Sequence, residues 1–178
     1  SVMPNFVISI QYPWILSRKV FTIVDRRVLN LHNAKLPDYR GHNAISHEIL
    51  NGEKEHVSTL HWITEEVDRG TLAMVARVAI NTADTAYSLW QRTVTASVKL
   101  FSEFMTQCAE IVLGNMGTPI PFGGRYYPKS NIDKLKEIPN GASLSDIERI
   151  ARAFWFPPHE PAYIMHEGRK LYVMPHTF

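Results

Sequence analysis

The stretch "LNLHNAKLPDYRG", residues 29–41, decides how the rest of the sequence is interpreted. An apolar run ends there with Asn30 and His32, and a polar segment follows. Alternate residues of a strand point to the same face, so we predict that Asn30 and His32 project together beyond the end of a strand. An isolated Asn-x-His pair is more often a turn cap and a partly buried histidine, so its meaning depends on the surrounding pattern.

The segments around this stretch predict an α/β fold. A β-branched run at 5–10 precedes a short helix at 17–24, which Ser17 would cap, and the strand at 27–32 comes next. Strand–helix–strand order is typical of a parallel pair. The elements predicted further on are a helix at 42–52, strands at 57–64 and 71–80, helices at 84–113 and 143–154, and a β-hairpin within 161–175.

The long helix predicted at 84–113 carries apolar residues at helical spacing. They recur every three to five positions, and we predict that they form the face that packs on the core. They are Leu89, Val94, Val98, Phe101, Met105 and Cys108.

Composition narrows the function classes. A chain of 178 residues fits one domain or one domain with a small appendage. A net charge of +2 gives no polybasic surface for nucleic acid. The single Cys108 cannot form an intramolecular disulfide or a Cys-x-x-Cys zinc site, and no metal site is predicted. We find no apolar run of membrane-spanning length and no signal-peptide pattern, so a reducing, cytoplasmic location is expected.

A carboxylate follows the same pattern downstream. In "STLHWITEEVDRG" (58–70), Asp68 stands in an acidic turn between two predicted strands. If those strands lie beside the strand that carries His32, the carboxylate can approach the imidazole. Asn30, His32 and Asp68 would then bring an amide donor, a proton carrier and an orienting carboxylate into one cleft.

These spaced elements resemble the N10-formyltetrahydrofolate-dependent formyltransferases, which act on glycinamide ribonucleotide, methionyl-tRNA or amino sugars. The resemblance is specific, because several short motifs agree in order and in distance. The matching residues are Asn30, His32, Leu36, Pro37, Arg40 and Gly41, then Asn51 and Gly52, and then Thr59, His61, Asp68 and Gly70.

The resemblance implies that Asn30, His32 and Asp68 are catalytic. In the family's reaction an amine attacks the formyl carbon, and Asn30 and His32 would stabilise the oxyanion that forms. His32 would also move the proton that the amine loses, with Asp68 setting its charge and tautomer. His61 is interpreted as a strand histidine without an assigned role.

The resemblance also implies where the folate binds. Trp14, Ile15 and Leu16 occupy the loop that contacts the pterin in the family, largely through main-chain atoms. The facing loop would comprise Thr64, Glu65, Glu66, Val67 and Asp68. The alternative, that Trp14 and Leu16 are core residues, has equal weight, since large apolar residues usually pack in cores.

The resemblance predicts the C-terminal half of a Rossmann-like formyltransferase sheet. Family members begin with further strand–helix units, so we expect either a fragment or a naturally truncated chain, with an exposed sheet edge that favours association. Residues 1–118 are predicted to be a partial catalytic core. Residues 119–178 are predicted to be a C-terminal extension with a helix and a β-hairpin.

The extension indicates the acceptor. It is too short and too weakly basic for an RNA-binding domain, and "IERIARAFWFPPHEPAYI" (147–164) resembles the tail of sugar N-formyltransferases. We therefore expect formyl transfer to a nucleotide-linked amino sugar, with the hairpin contributing to a homodimer. The aromatics at 154–156 are expected to pack rather than to stack on bases. The alternatives are a methionyl-tRNA formyltransferase-like enzyme and a non-catalytic binding or assembly module.

Overall fold

The structure, a computed structural model, describes residues 4–12, 14–25, 27–64, 66, 68–114 and 117–176. By its internal contacts the chain divides into two units. The first contains residues 1–41, 57–77 and 94–126, and the second contains 42–56, 78–93 and 127–178. The boundary near residue 118 that we drew along the sequence stays a prediction.

The described strands and helices follow the predicted order closely. The strands are β1 (Val7–Ile10), β2 (Val28–His32), β3 (Tyr39–Gly41), β4 (Glu55–Ile63), β5 (Gly70–Ala79), β6 (Thr118–Pro119), β7 (Arg125–Tyr127), β8 (Tyr163–His166) and β9 (Arg169–Tyr172). The helices are α1 (Arg18–Ile23), α2 (Ala44–Asn51), α3 (Ala86–Gly114) and α4 (Leu144–Phe154), with 3-10 turns at Lys129–Asn131 and Asp133–Leu135. The sequence pattern did not predict β3, β6 and β7, because runs of two or three residues carry no periodicity.

A mixed sheet in the order β1-β2-β4-β5-β6 is the frame of the site. The predicted strand–helix–strand segment is confirmed, since β1 and β2 are parallel and α1 connects them. Ser17 caps α1 as predicted, with its hydroxyl accepting the Lys19 N–H. β2 pairs with β4 in the antiparallel sense, so the strand that carries Asn30 and His32 has a parallel neighbour on one side and an antiparallel neighbour on the other.

The core of the first unit lies between one face of this sheet and the C-terminal part of α3. Burying these apolar side chains removes them from water, which is the main driving force for folding. The cluster comprises Leu29, Leu31, Leu60, Trp62, Leu100, Phe104, Ile111 and Val112.

The predicted core face of α3 is wrong in part. Leu89 is fully buried as predicted, but Val98 is 60% exposed, and Val94 and Met105 are also exposed. The helix instead buries a face that begins with Leu89 and includes two polar residues, Thr93 and Ser97.

Hydrogen bonds explain why polar residues occupy that face. The Ser97 hydroxyl lies 2.8 Å from Asn33 Oδ1 and 3.0 Å from the Ser58 hydroxyl. The Thr93 hydroxyl donates to the Leu89 carbonyl one turn earlier at 2.9 Å. Buried polar groups are tolerated when they are paired in this way, and a count of apolar residues alone therefore selects the neighbouring face.

In the second unit α2 packs against α4. Phe154 is buried, and the Phe156 ring packs edge-on against Tyr87 and Trp90, with centroids 5.5 and 5.4 Å apart. The expectation that the aromatics at 154–156 pack rather than form an open stacking surface is thus confirmed for these two rings.

The predicted C-terminal β-hairpin is also confirmed. β8 and β9 pair antiparallel, with His166 opposite Arg169. The two residues between them, Glu167 and Gly168, both have positive φ, as a tight hairpin turn requires.

Among the described residues, no helix is long and apolar enough to cross a membrane.

Candidate active site

The side chains of Asn30 and His32 project from the face of β2 opposite to its core residues. Leu29 and Leu31 are buried in the core cluster, whereas Asn30 and His32 are only partly buried. This alternation follows from the two-residue period of a strand. The sequence prediction that Asn30 and His32 share a face is therefore confirmed.

β4 places a second pair of polar residues directly opposite. In the antiparallel register Asn30 faces His61 and His32 faces Thr59. Facing side chains of such a pair project on the same side of the sheet. Asn30 Nδ2 lies 3.5 Å from His61 Nε2, and the His32 and His61 ring centroids are 6.5 Å apart.

Thr59 fixes the end of the strand that carries His32. Its hydroxyl lies 3.2 Å from the carbonyl of His32 and 3.2 Å from that of Ala34. Because Thr59 itself is buried, these contacts satisfy its hydroxyl and hold the chain where β2 gives way to the polar segment.

Asp68 approaches His32 as the sequence predicted it could. Its Oδ2 lies 3.8 Å from His32 Nε2, and both side chains are largely shielded, with 10% and 18% exposed. The same oxygen accepts the Gly41 N–H at 2.8 Å. Gly41 lies at the end of β3, so the short strand that sequence reasoning missed helps to hold the carboxylate. The structure thus brings Asn30, His32 and Asp68 into one cluster within the first unit.

Gly70 lets the chain turn sharply into this position. Asp68 has a φ of +51°, and Gly70 has a φ of +124°. A Cβ built on Gly70 would lie 1.8 Å from the Trp62 carbonyl oxygen. No side chain fits there, so the Asp-x-Gly spacing reflects a close approach of the turn to β4.

His61 is the residue whose environment sequence reasoning did not resolve. It is fully buried, and its Nδ1 lies 3.3 Å from the Trp62 carbonyl oxygen. Burial, reinforced by the nearby His32, lowers the pKa of His61 from 6.5 to about 4. Asp68 and the backbone of Trp62 and Arg69 oppose this shift but do not overcome it. His61 is therefore neutral near pH 7.

The signal for His61 was present in the sequence. Thr59 and His61 are spaced by two on a predicted strand, as Asn30 and His32 are. Pairing the two strands antiparallel would have placed the two motifs opposite each other. The strand order needed for that step is a tertiary property, which the local pattern does not contain.

The residues predicted to contact the folate lie in two loops. Trp14 and Ile15 are 72% and 84% exposed in the loop between β1 and α1, so these two are not core residues. Leu16 is half-buried. In the facing loop Thr64 and Glu66 are exposed and hydrogen-bonded to each other, whereas Glu65 and Val67 lie outside the described residues.

A third loop, which sequence reasoning did not single out, contacts the Asp68 turn. Arg69 donates to the Pro121 carbonyl at 3.2 Å, and its guanidinium lies 5.4 Å from the centroid of the Phe122 ring. Phe122 is strongly exposed. Arg69 thus links this loop to the turn that contains Asp68, through a hydrogen bond and a cation–π contact.

The mixed sheet and the Asn30–His32–Asp68 cluster define an α/β protein with a polar site at the end of β2. Residues 1–105, more than half of the chain, match the formyl transferase family. The chain therefore belongs to the formyl transferase family.

Individual relatives share a large part of the chain. The GDP-perosamine N-formyltransferase of Brucella melitensis is 28% identical over 176 residues, which cover 96% of this chain and 64% of that protein. The chain thus spans slightly less than two thirds of the length of that relative.

Solved structures share the fold. A 4-N formyltransferase from Francisella tularensis superimposes with a TM-score of 0.83 at 21% identity, covering 98% of this chain and 71% of that one. The formyltransferase PseJ from Anoxybacillus kamchatkensis, solved with a formamido UDP-sugar and tetrahydrofolate, gives a TM-score of 0.65 at 27% identity. The match to PseJ covers 73% of this chain and 67% of PseJ.

The close approach of Gly70 predicts a large effect of one methyl group. Gly70→Ala should lower the free energy of unfolding by about 3 kcal/mol or more, because the new Cβ collides with backbone rather than with a mobile side chain. Gly141→Ala is the matched control, since Gly141 also has positive φ but open space around it. It should cost only about 1 kcal/mol from backbone strain. Urea unfolding of both variants measures the difference, and equal losses would contradict the collision.

The lowered pKa of His61 predicts a dependence of stability on pH. Between pH 6.5 and about 4 the unfolded chain binds a proton at this residue that the folded chain excludes. Above about pH 6.5 His61 is mostly neutral in both states, and its titration does not reduce the free energy of unfolding. As the pH falls towards 4, only the unfolded chain takes up the proton, so the free energy of unfolding decreases. From pH 7 to 4.5 the wild type should lose on the order of 2 kcal/mol more than His61→Gln. Urea unfolding across this range tests it, and parallel pH curves would contradict the lowered pKa.

Proposed function

We propose that the protein transfers a formyl group from N10-formyltetrahydrofolate to the amine of a nucleotide-linked amino sugar. The observation that carries the proposal is the cluster at the end of β2, where His32 Nε2 lies 3.8 Å from Asp68 Oδ2 on the face shared with Asn30. Membership of the formyl transferase family supports the reaction class.

Each residue of the cluster has a role that its chemistry fits. The acceptor nitrogen attacks the formyl carbon, and negative charge develops on the formyl oxygen. The Asn30 amide and a His32 ring N–H are donors suited to that charge. As the bond between the formyl carbon and N10 breaks, His32 takes the proton lost by the amine and delivers it to N10. Asp68, held by the Gly41 N–H, stabilises the imidazolium in between.

In this proposal the folate binds between the loop that contains Trp14, Ile15 and Leu16 and the loop of residues 64–68. The side chains of Trp14 and Ile15 are each more than half exposed, so they offer an apolar surface to a ligand. Exposed apolar side chains beside a polar cluster suit an aromatic ligand such as a pterin. Main-chain N–H and C=O groups of both loops would supply the hydrogen bonds.

The sugar acceptor is supported by the relatives. A GDP-perosamine N-formyltransferase is 28% identical to this chain, and PseJ, at 27% identity, was solved with a UDP-linked formamido sugar. A net charge of +2 over 178 residues gives no excess of basic residues of the kind that an RNA-binding domain carries. The second unit contains α4 and the hairpin, and acidic Glu160, which precedes β8, accepts from Lys170 of β9 at 2.7 Å.

We further propose a homodimer that uses the C-terminal hairpin, in a cytoplasmic protein. Leu171, Tyr172 and Met174 are each more than half exposed, so the hairpin presents apolar surface to a partner. The hairpin itself is held by local contacts. Glu160 accepts from both Lys170 and the Tyr172 hydroxyl, and these bonds lower the pKa of Glu160.

A methionyl-tRNA formyltransferase-like activity is the second candidate within the same reaction class, because the catalytic cluster does not distinguish acceptors. A non-catalytic binding module is the candidate from another class. The convergence of His32 and Asp68 favours an enzyme over a binding module, since a binding function alone would not require a carboxylate beside the imidazole.

The catalytic roles predict strong losses of activity without loss of folding. In the intact protein, His32→Ala and Asp68→Asn should each lower kcat on the order of a hundredfold or more. Asp68→Asn keeps an oxygen for the Gly41 N–H and removes only the charge. His176→Ala, on an exposed C-terminal residue, is the control and should retain activity. Formyl transfer is measured with a nucleotide-linked amino sugar, and near-native rates in both site variants would refute the mechanism.

The acceptor class predicts how binding responds to salt. The protein should bind a nucleotide-linked amino sugar, and its affinity for tRNA should be weak at both a low and a physiological salt concentration. Tight tRNA binding that falls steeply with salt would indicate many phosphate contacts. Such a result without sugar-nucleotide binding would favour the tRNA alternative.

A further inference from the structure

We propose that His61 is a positioning residue that holds the Asn30 side-chain amide in the orientation needed to donate to the reacting oxygen. This inference rests on the proposed function, in which Asn30 is the amide donor. It gives a role to a residue that is buried beneath the cluster and that the reaction itself does not use.

The register of the sheet brings the two residues together. Asn30 and His61 face each other across the antiparallel β2–β4 pair, and Asn30 Nδ2 lies 3.5 Å from His61 Nε2. An asparagine amide can rotate to present either its oxygen or its nitrogen to a cleft, and only the nitrogen can donate. An acceptor at His61 Nε2 selects one of these two orientations. It binds one hydrogen of Nδ2 and leaves the second for the reacting oxygen.

A second contact makes Nε2 the acceptor. His61 Nδ1 lies 3.3 Å from the Trp62 carbonyl oxygen, and a carbonyl only accepts, so Nδ1 carries the hydrogen. A neutral imidazole protonated at Nδ1 has its lone pair at Nε2. The ring is fully buried, and burial disfavours the doubly protonated form that would turn Nε2 into a donor.

Full burial also separates this role from catalysis. His61 has no exposed surface, so it acts on the reaction through Asn30 and not through contact with a substrate. Partners behind a reacting group commonly fix its tautomer and direction in this way. A ring that only filled space would need neither contact.

Two isosteric variants of the intact protein separate the two ring nitrogens. His61→Gln places a polar amide atom near the position of Nε2 and so retains a partner for Asn30. His61→Asn reaches only the position of Nδ1, so it retains the Trp62 contact and loses the partner of Asn30. We expect His61→Asn to lower kcat about tenfold or more with little change in KM, and His61→Gln to remain within a few-fold of the wild type.

Combination with Asn30→Ala tests whether His61 acts through Asn30. The double variant Asn30→Ala/His61→Asn should have the kcat of Asn30→Ala alone, because the group being positioned is already absent. Multiplicative losses would overturn the proposal. Equal losses in His61→Gln and His61→Asn, or failure of both variants to fold, would make His61 a structural residue and would also overturn it.

A spectroscopic measurement separates this inference from the proposed function. The side-chain amide signals of Asn30 are identified in an NMR spectrum by their absence in Asn30→Ala. We expect their hydrogens to exchange slowly with solvent in the wild type and in His61→Gln, and faster in His61→Asn. This pattern in a protein that lacks formyl transfer would refute the proposed function and leave the positioning contact intact. Unchanged exchange in His61→Asn would refute the positioning contact even in an active enzyme.

Discussion

The antiparallel register of β2 on β4 is the constraint on which the site depends. It sets Asn30 opposite His61 and His32 opposite Thr59, so four polar side chains share one face of the sheet. A slip of β2 by one residue would turn Asn30 and His32 towards the core and expose Leu29 and Leu31. The apolar cluster of the first unit therefore stabilises the site indirectly, because the same register that buries the leucines gathers the polar residues.

Backbone geometry places Asp68 next to His32. The turn after β4 passes so close to Trp62 that only glycine fits at position 70, and Asp68 itself has a positive φ. The Gly41 N–H then holds the carboxylate oxygen that lies near His32. Backbone strain at Asp68 is of a kind that surrounding structure must support, and here strand pairing and a backbone hydrogen bond supply that support.

The sequence predicts the positions of the helices and strands better than it predicts which of their faces are buried. The alternating run around Asn30 and the cap at Ser17 are local signals, and the structure has the corresponding strand and helix. The core face of α3 was misjudged at Val98, because buried Ser97 is compensated by hydrogen bonds from another part of the chain. The contact between Asn30 and His61 likewise depends on strand order, and no local pattern of either strand contains that information.

The two histidines of the cluster lie in different environments. His61 is buried, and its pKa is lowered by that burial and by the neighbouring His32. His32 retains some exposure and has the Asp68 carboxylate 3.8 Å from its Nε2. Protonation is disfavoured at His61, where the charge would be desolvated beside a second ring. Groups that differ in this way can take separate roles in one site, and we propose that His32 carries a proton while His61 remains a neutral acceptor for Asn30.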